Sequence, residues 1–325
     1  MFPDPCEFPV KHTPLLAIES GGIENYDLWK NIFSQIAPDI QTIWWEAAEN
    51  SPAPPDYLLV SRPPVGKIAH FPRVKAILCT GAGVDHLVSD PAWPRDIPLV
   101  RMGGQRTAQL MAEYVLWACL TLYRGARTWA WQQERRIFER EIITCVASEV
   151  PVGIMGFGHL GRKVAKTLLD NNFPVLGWSR RGTPLEGVEV FSGNTQLKDF
   201  LAKTHILINL LPNTQETRDK IDKDVLSALP LGACIVNVGR GNQLVEEDLL
   251  QLLNAGHLSG AVLDVFRHEP LAQNSPLWGH PKITISPHAA SEASRYDHAR
   301  YIVDVIETLE KCGEPELLYD WKRGY

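Results

Sequence analysis

With 325 residues, 45% hydrophobic and 22% charged, the chain has enough apolar side chain for two cores and is too apolar to be disordered. A formal net charge of −6 excludes nucleic acid and an anionic membrane surface as main partners. The cysteines (Cys6, Cys79, Cys119, Cys145, Cys234 and Cys312) show no CxxC spacing, so neither a disulfide nor a metal site is expected, and the opening MFPDPCEFPVKH lacks the basic start and apolar run of a leader, which points to the cytoplasm.

Along the first hundred residues, apolar runs of strand length alternate with a helical pattern: LLAIES, DLWKNIFSQI, TIWWEA, DYLLVS, VKAILCT and IPLVRM. This order predicts a small flavodoxin-like α/β domain. If TIWWEA is a strand, Trp44 and Trp45 point to opposite faces, and Trp44 is assigned to the core. The run AQLMAEYVLWACLTLYR is apolar around most of a helical circumference and is expected to be a buried helix between domains.

From Val152 the chain reads VGIMGFGHLGRKVAKTL, a short apolar strand, a glycine turn and a helix, and FPVLGW from Phe173 reads as the next strand. Such a βαβ unit binds dinucleotides: Gly156 supplies the tight turn, Gly158 lets backbone N–H groups approach a diphosphate, and Gly161 lets the helix pack on the sheet. Where an NAD enzyme usually places an acid at the end of the second strand, this chain has Ser179, Arg180 and Arg181. A guanidinium there pairs with a 2′-phosphate, which favours NADP(H); a solvated arginine pair is the alternative, and NAD stays open. HILINLL, ACIVNVGRG, GAVLDVF and KITISP read as further buried parallel strands, and a helical pattern over residues 292–310 returns to the first domain. The predicted fold is thus a Rossmann dinucleotide-binding domain at 105–288 and a discontinuous flavodoxin-like substrate domain at 1–104 and 289–325.

Three polar residues end apolar strands or follow them: Arg240, Glu269 and His288. In an open parallel sheet this end faces the ligand crevice. A 2-keto acid accepting hydride needs a fixed cation and a proton donor; Arg240 and His288 fit those roles, and Glu269 can fix the imidazole tautomer and favour its charged form. His288 alone also reads as a cap for the next helix, and His268 beside Glu269 lacks a metal-ligand spacing.

These segments resemble the D-isomer-specific 2-hydroxyacid dehydrogenases over nearly the whole chain: GAGVDHLVSD at Gly81, the turn at Gly156, LINLLPNTQETR at Leu207, NVGRG, GAVLDVFRHEPL at Gly260, SPLWGHPKITISPH at Ser275 and the terminal RGY. The resemblance implies that Arg240, Glu269 and His288 are the catalytic trio. It further implies that Trp45, Ala82, Gly83 and Arg240 bind substrate in a cleft between domains. Cofactor contacts are implied for Gly156, Gly158, His159, Leu160, Gly161, Ser179, Arg180, Arg181, Leu211, Pro212, Val238 and Asp264. Arg62 lies in a region that reaches substrate in some members. The implied activity is NADPH-preferring reduction of glyoxylate and hydroxypyruvate to glycolate and D-glycerate by a homodimer. Phe138 stands where close relatives often have tryptophan, in a segment that can approach a neighbouring subunit, so an NADH-dependent enzyme for a bulkier 2-keto acid remains an alternative, as does a nucleotide-sensing binding protein.

Overall fold

The computed structural model describes residues 12–140 and 142–324; Cys6, the rest of the opening segment and Tyr325 of the terminal RGY lie outside the described residues. The chain forms two compact units, one of residues up to Arg106 with those from Ala293 onward, the other of Thr107–Glu292.

In the first unit, β1 (Leu15–Ile18), β2 (Gln41–Trp44), β3 (Tyr57–Val60), β4 (Ala76–Cys79) and β5 (Leu99–Val100) form a parallel sheet in the order β2-β1-β3-β4-β5. This is the flavodoxin-like order. Successive side chains of a strand face opposite sides, so Leu16, Ile18, Tyr57 and Leu59 pack with Trp29 and Phe33 of helix Ile23–Ile36 and with Ile302 and Ile306 of helix Arg295–Glu310. Ala17, Leu58 and Val60 pack on the other side, with Trp45, Phe71 and Trp93.

The assignment of Trp44 to the core is overturned: Trp45 is 4% exposed and stacks on Phe71, whereas Trp44 is half-buried. The strand ends at Trp44 and helix Trp45–Glu49 begins at once, so two-residue alternation does not carry across the pair. The run after Thr107 is also corrected. Helix Gly104–Tyr123 buries one face, through Met111, Ala112, Val115, Ala118 and Cys119, while Trp117 and Leu120 are 44% and 39% exposed.

In the second unit, seven parallel strands are β6 (Val152–Met155), β7 (Val175–Ser179), β8 (Val188–Ser192), β9 (Ile206–Asn209), β10 (Ala233–Asn237), β11 (Leu258–Leu263) and β12 (Ile283–Ile285). Their order, β12-β11-β10-β9-β6-β7-β8, reverses direction between β6 and β9, the switch point of a Rossmann sheet. Strand β8 escaped the sequence pattern because Glu189 interrupts its apolar residues and only Phe191 is buried.

Among the described residues no helix is long and apolar enough to cross a membrane. Cys79, Cys119, Cys145 and Cys234 are free thiols, but Cys312 is disulfide-bonded, against the expectation of no disulfide. Spacing along the chain carries no information on spatial distance, and a disulfide needs only that two Cα atoms lie within roughly 7 Å.

Candidate active site

The glycine turn joins β6 to helix His159–Asp170. Gly156 has φ +101°, and a Cβ there would lie 2.3 Å from the carbonyl oxygen of Leu210, so only glycine lets the turn pass the end of β9. A Cβ on Gly161 would meet the Gly156 carbonyl oxygen at 2.3 Å, which ties the first helical turn to the loop. Gly158 has no neighbour within 4 Å on its Cβ side, and no side chain caps the helix that begins at His159. An uncapped N-terminus beneath an open glycine fits a diphosphate, because its first N–H groups lack intrahelical partners and the helix dipole favours an anion.

Past the end of β7, the Ser179 hydroxyl accepts a hydrogen bond from the Gly182 amide at 3.1 Å, which curls residues 179–182. Arg180 and Arg181 are exposed on this curl, and Arg180 Nη1 lies 3.3 Å from Glu216 Oε2. Arg162 donates to the carbonyls of Thr183 and Pro184 and holds the next stretch. Pro212 is half-buried, whereas Leu211, Val238 and Asp264 are buried, at 7%, 5% and 1% exposure.

Sheet order brings the three chemical loops together. Strands β10, β11 and β12 are adjacent and parallel, so Arg240, Glu269 and His288 all emerge at one end. The glycines of NVGRG explain how closely: a Cβ on Gly241 would fall 1.8 Å from the carbonyl carbon of Phe266, so the Arg240 loop presses backbone to backbone on the loop that carries Glu269. Glu269 Oε1 accepts from the Phe266 amide at 3.0 Å, and its Oε2 lies 2.8 Å from His288 Nδ1. The His288 side chain remains 46% exposed, which leaves the ring in contact with solvent. Arg240 Nη1 donates to the Gly239 carbonyl at 2.9 Å.

Two buried supports hold these loops, and of them the sequence named only Asp264, as a cofactor contact. Gln243, fully buried, accepts from the Arg240 amide at 2.8 Å and donates to the carbonyls of Leu211 and Pro212, and Asn209 donates to it at 2.7 Å, so one side chain locks the loops after β9 and β10. Asp264 plays the same part for His288. Its carboxylate accepts from Ser286 Oγ, Ala289 N and Ala290 N, and its carbonyl accepts from the His288 amide at 2.8 Å. These bonds hold His288 at φ +53°, a left-handed conformation that costs a non-glycine residue about 1–3 kcal/mol. Ser286 is in turn engaged by Tyr114, whose hydroxyl is pushed up to about 12 by burial and by the charge of Asp264. The sequence signal for Asp264 was an acid directly after an apolar strand; Gln243, in the turn Gly241–Gln243, gave none.

In the first unit, Ala82 and Gly83 lie half-buried on the loop after β4, and among the described residues no acceptor takes either amide N–H. Trp45 is part of the core, and Arg62 is exposed, its amide bonded to Glu19 at 3.2 Å.

The comparisons agree with this architecture. A family model described as D-isomer specific 2-hydroxyacid dehydrogenase, NAD binding domain, matches residues 116–290. Glyoxylate/hydroxypyruvate reductase A of Klebsiella pneumoniae (strain 342) is 38% identical over 312 residues, covering 91% of this chain and 96% of the relative. A D-isomer specific 2-hydroxyacid dehydrogenase from Xanthobacter autotrophicus Py2, crystallised with NADPH and MES, superposes with a TM-score of 0.90 at 34% identity over 97% of this chain and 100% of that one. An NADPH-dependent glyoxylate/hydroxypyruvate reductase from Sinorhizobium meliloti, in complex with NADP and sulfate, gives 0.87 at 30% identity over 97% and 100%. With a family model spanning more than half of its length and a relative 38% identical along 91% of it, the chain belongs to the D-isomer specific 2-hydroxyacid dehydrogenases.

Proposed function

We propose that this protein reduces glyoxylate and hydroxypyruvate to glycolate and D-glycerate with NADPH in preference to NADH, with residues 105–288 as the dinucleotide-binding domain and 1–104 with 289–325 as the substrate domain. The observation that carries the reading is the 2.8 Å pair of His288 and Glu269 on a loop packed against that of Arg240. The names of the relatives and the NADPH and NADP in two solved structures support the substrate class and cofactor. The turn at Gly156, Gly158 and Gly161, with His159 and Leu160, would hold the diphosphate; Ser179, Arg180 and Arg181 would face the 2′-phosphate; Leu211, Pro212, Val238 and Asp264 would form the remaining wall.

The chemistry supplied by a bound nicotinamide nucleotide is a hydride for the carbonyl carbon of the 2-keto acid. Arg240 binds the substrate carboxylate and carbonyl through its guanidinium fork. The amides of Ala82 and Gly83 receive the carboxylate. His288, its Nδ1 side held by Glu269, delivers the proton from Nε2 to the oxygen that becomes the hydroxyl. The location we infer is the cytoplasm; the free thiols Cys79, Cys119, Cys145 and Cys234 support it, and the disulfide of Cys312 counts against it.

The direct test follows the loss of NADPH and NADH absorbance with glyoxylate and with hydroxypyruvate at matched subsaturating concentrations. Faster NADPH oxidation supports the proposal, and no oxidation of either nucleotide rejects it. Replacing Arg180 and Arg181 together by serine is expected to lower kcat/KM for NADPH at least about tenfold while leaving NADH nearly unchanged, because charge-assisted phosphate contacts contribute about 1.5–3 kcal/mol each. Unchanged selectivity in that double variant rejects the phosphate assignment.

We further propose a homodimer. Helices Gly104–Tyr123 and Ala126–Arg135 and the stretch beyond them expose Trp117, Trp129, Trp131, Phe138 (96%) and Ile142 (88%), a density of apolar side chains that single chains rarely leave in water. Light scattering on the eluting protein is expected to give twice the chain mass, and Phe138→Glu to shift it toward one; a wild-type chain that elutes as a monomer contradicts the dimer.

A further inference from the structure

Arg180 is the first residue after β7, and Glu216 lies in the turn that follows β9. Strands β7 and β9 flank β6, so the two side chains reach toward each other from either side of the glycine turn, at the carboxyl end of the sheet. Their contact is 3.3 Å, between Arg180 Nη1 and Glu216 Oε2. The turn that presents Glu216 is itself fixed: Thr217 Oγ1 accepts from the Thr214 amide at 2.9 Å and donates to the Pro212 carbonyl at 2.7 Å, and the Arg218 amide donates to the Thr214 carbonyl. A carboxylate therefore stands on a preorganised turn against the cation read here as the 2′-phosphate partner.

We propose that Glu216 is a specificity-determining residue for the cofactor: its carboxylate competes with the 2′-phosphate of NADP(H) for Arg180 and so limits the preference for the phosphorylated nucleotide. The inference rests on the assignment of Arg180 and Arg181 made above. A 2′-phosphate brought to Arg180 either displaces Glu216 or sits beside it, and both outcomes cost binding energy, the first through the lost ion pair and the second through like-charge repulsion. A nucleotide with free ribose hydroxyls meets neither cost. Specificity is the difference between two affinities, and a carboxylate that works against only one ligand changes that difference without touching the reacting atoms.

The test uses adenosine 2′,5′-bisphosphate and ADP as probes, titrated calorimetrically into the full-length protein, so that no turnover is involved. Glu216→Gln keeps the shape and removes the charge. It is expected to tighten the bisphosphate about two- to fivefold, the range of an exposed charge pair, and to leave ADP unchanged. The gain is expected to shrink as salt is raised from about 0.05 M to about 0.5 M. Glu189→Gln removes a carboxylate that pairs with Lys203 elsewhere in the same unit and serves as the control; it should alter neither ligand. Equal tightening of both probes, or none, overturns the role of Glu216. A wild-type protein that binds adenosine 2′,5′-bisphosphate no more tightly than AMP, which lacks only the 2′-phosphate, overturns the Arg180 and Arg181 assignment first, and the inference falls with it. Retained ADP affinity shows that the variant is folded.

Discussion

Arg240→Ala is expected to lower kcat/KM for glyoxylate and hydroxypyruvate by about 1,000-fold, roughly 4 kcal/mol of transition-state stabilisation, while the NADPH dissociation constant stays within about threefold. The expectation follows from how the side chain is built into the fold. Gly239 and Gly241 cannot carry a Cβ, because it would fall 2.5 Å from Gln243 Oε1 in the first case and 1.8 Å from the Phe266 carbonyl carbon in the second. The Arg240 amide is fixed by the fully buried Gln243. A backbone held this tightly presents the guanidinium without paying side-chain ordering at the moment of reaction. Arg240→Lys keeps the charge but not the planar fork, so it should recover only part of the loss. Steady-state rates and fluorescence titration of NADPH measure the two quantities separately. An alanine variant with near-normal turnover rules out the assigned role, and one that loses NADPH binding equally points to a structural collapse of the loop.

Much of this arrangement was legible before any coordinates. Strands buried on both faces announce themselves as apolar runs, and β6, β7, β9, β10 and β11 all did so, because each is covered on both sides in the doubly wound sheet. Strand β8 did not, since Glu189 breaks its apolar residues and only Phe191 is buried. The tryptophan pair was misread because the chain changes from strand to helix between Trp44 and Trp45, and a two-residue period holds only within one element. Arg240, Glu269 and His288 stood out as charged residues after apolar runs. Gln243 and Asp264 act through hydrogen bonds to residues on other loops, and no local pattern reveals a partner that only folding brings near. The same holds for Glu216, which sits 36 positions from Arg180 along the chain and 3.3 Å from it in space.

His288→Asn provides the second large effect, an expected fall in kcat of about 100- to 10,000-fold, the usual contribution of a positioned proton donor. Asparagine is chosen because position 288 is left-handed, at φ +53°, and asparagine tolerates that region better than most residues. The loop held by Asp264 is therefore expected to survive the change, and an unchanged melting temperature would confirm it. Glu269→Gln separates holding from donating. It removes the charge 2.8 Å from His288 Nδ1 and leaves the ring in place, so the loss should be smaller than for His288→Asn. If His288→Asn retains turnover within about tenfold of wild type, the proton comes from another group or from solvent, and the 2.8 Å pair is a structural tie between two loops.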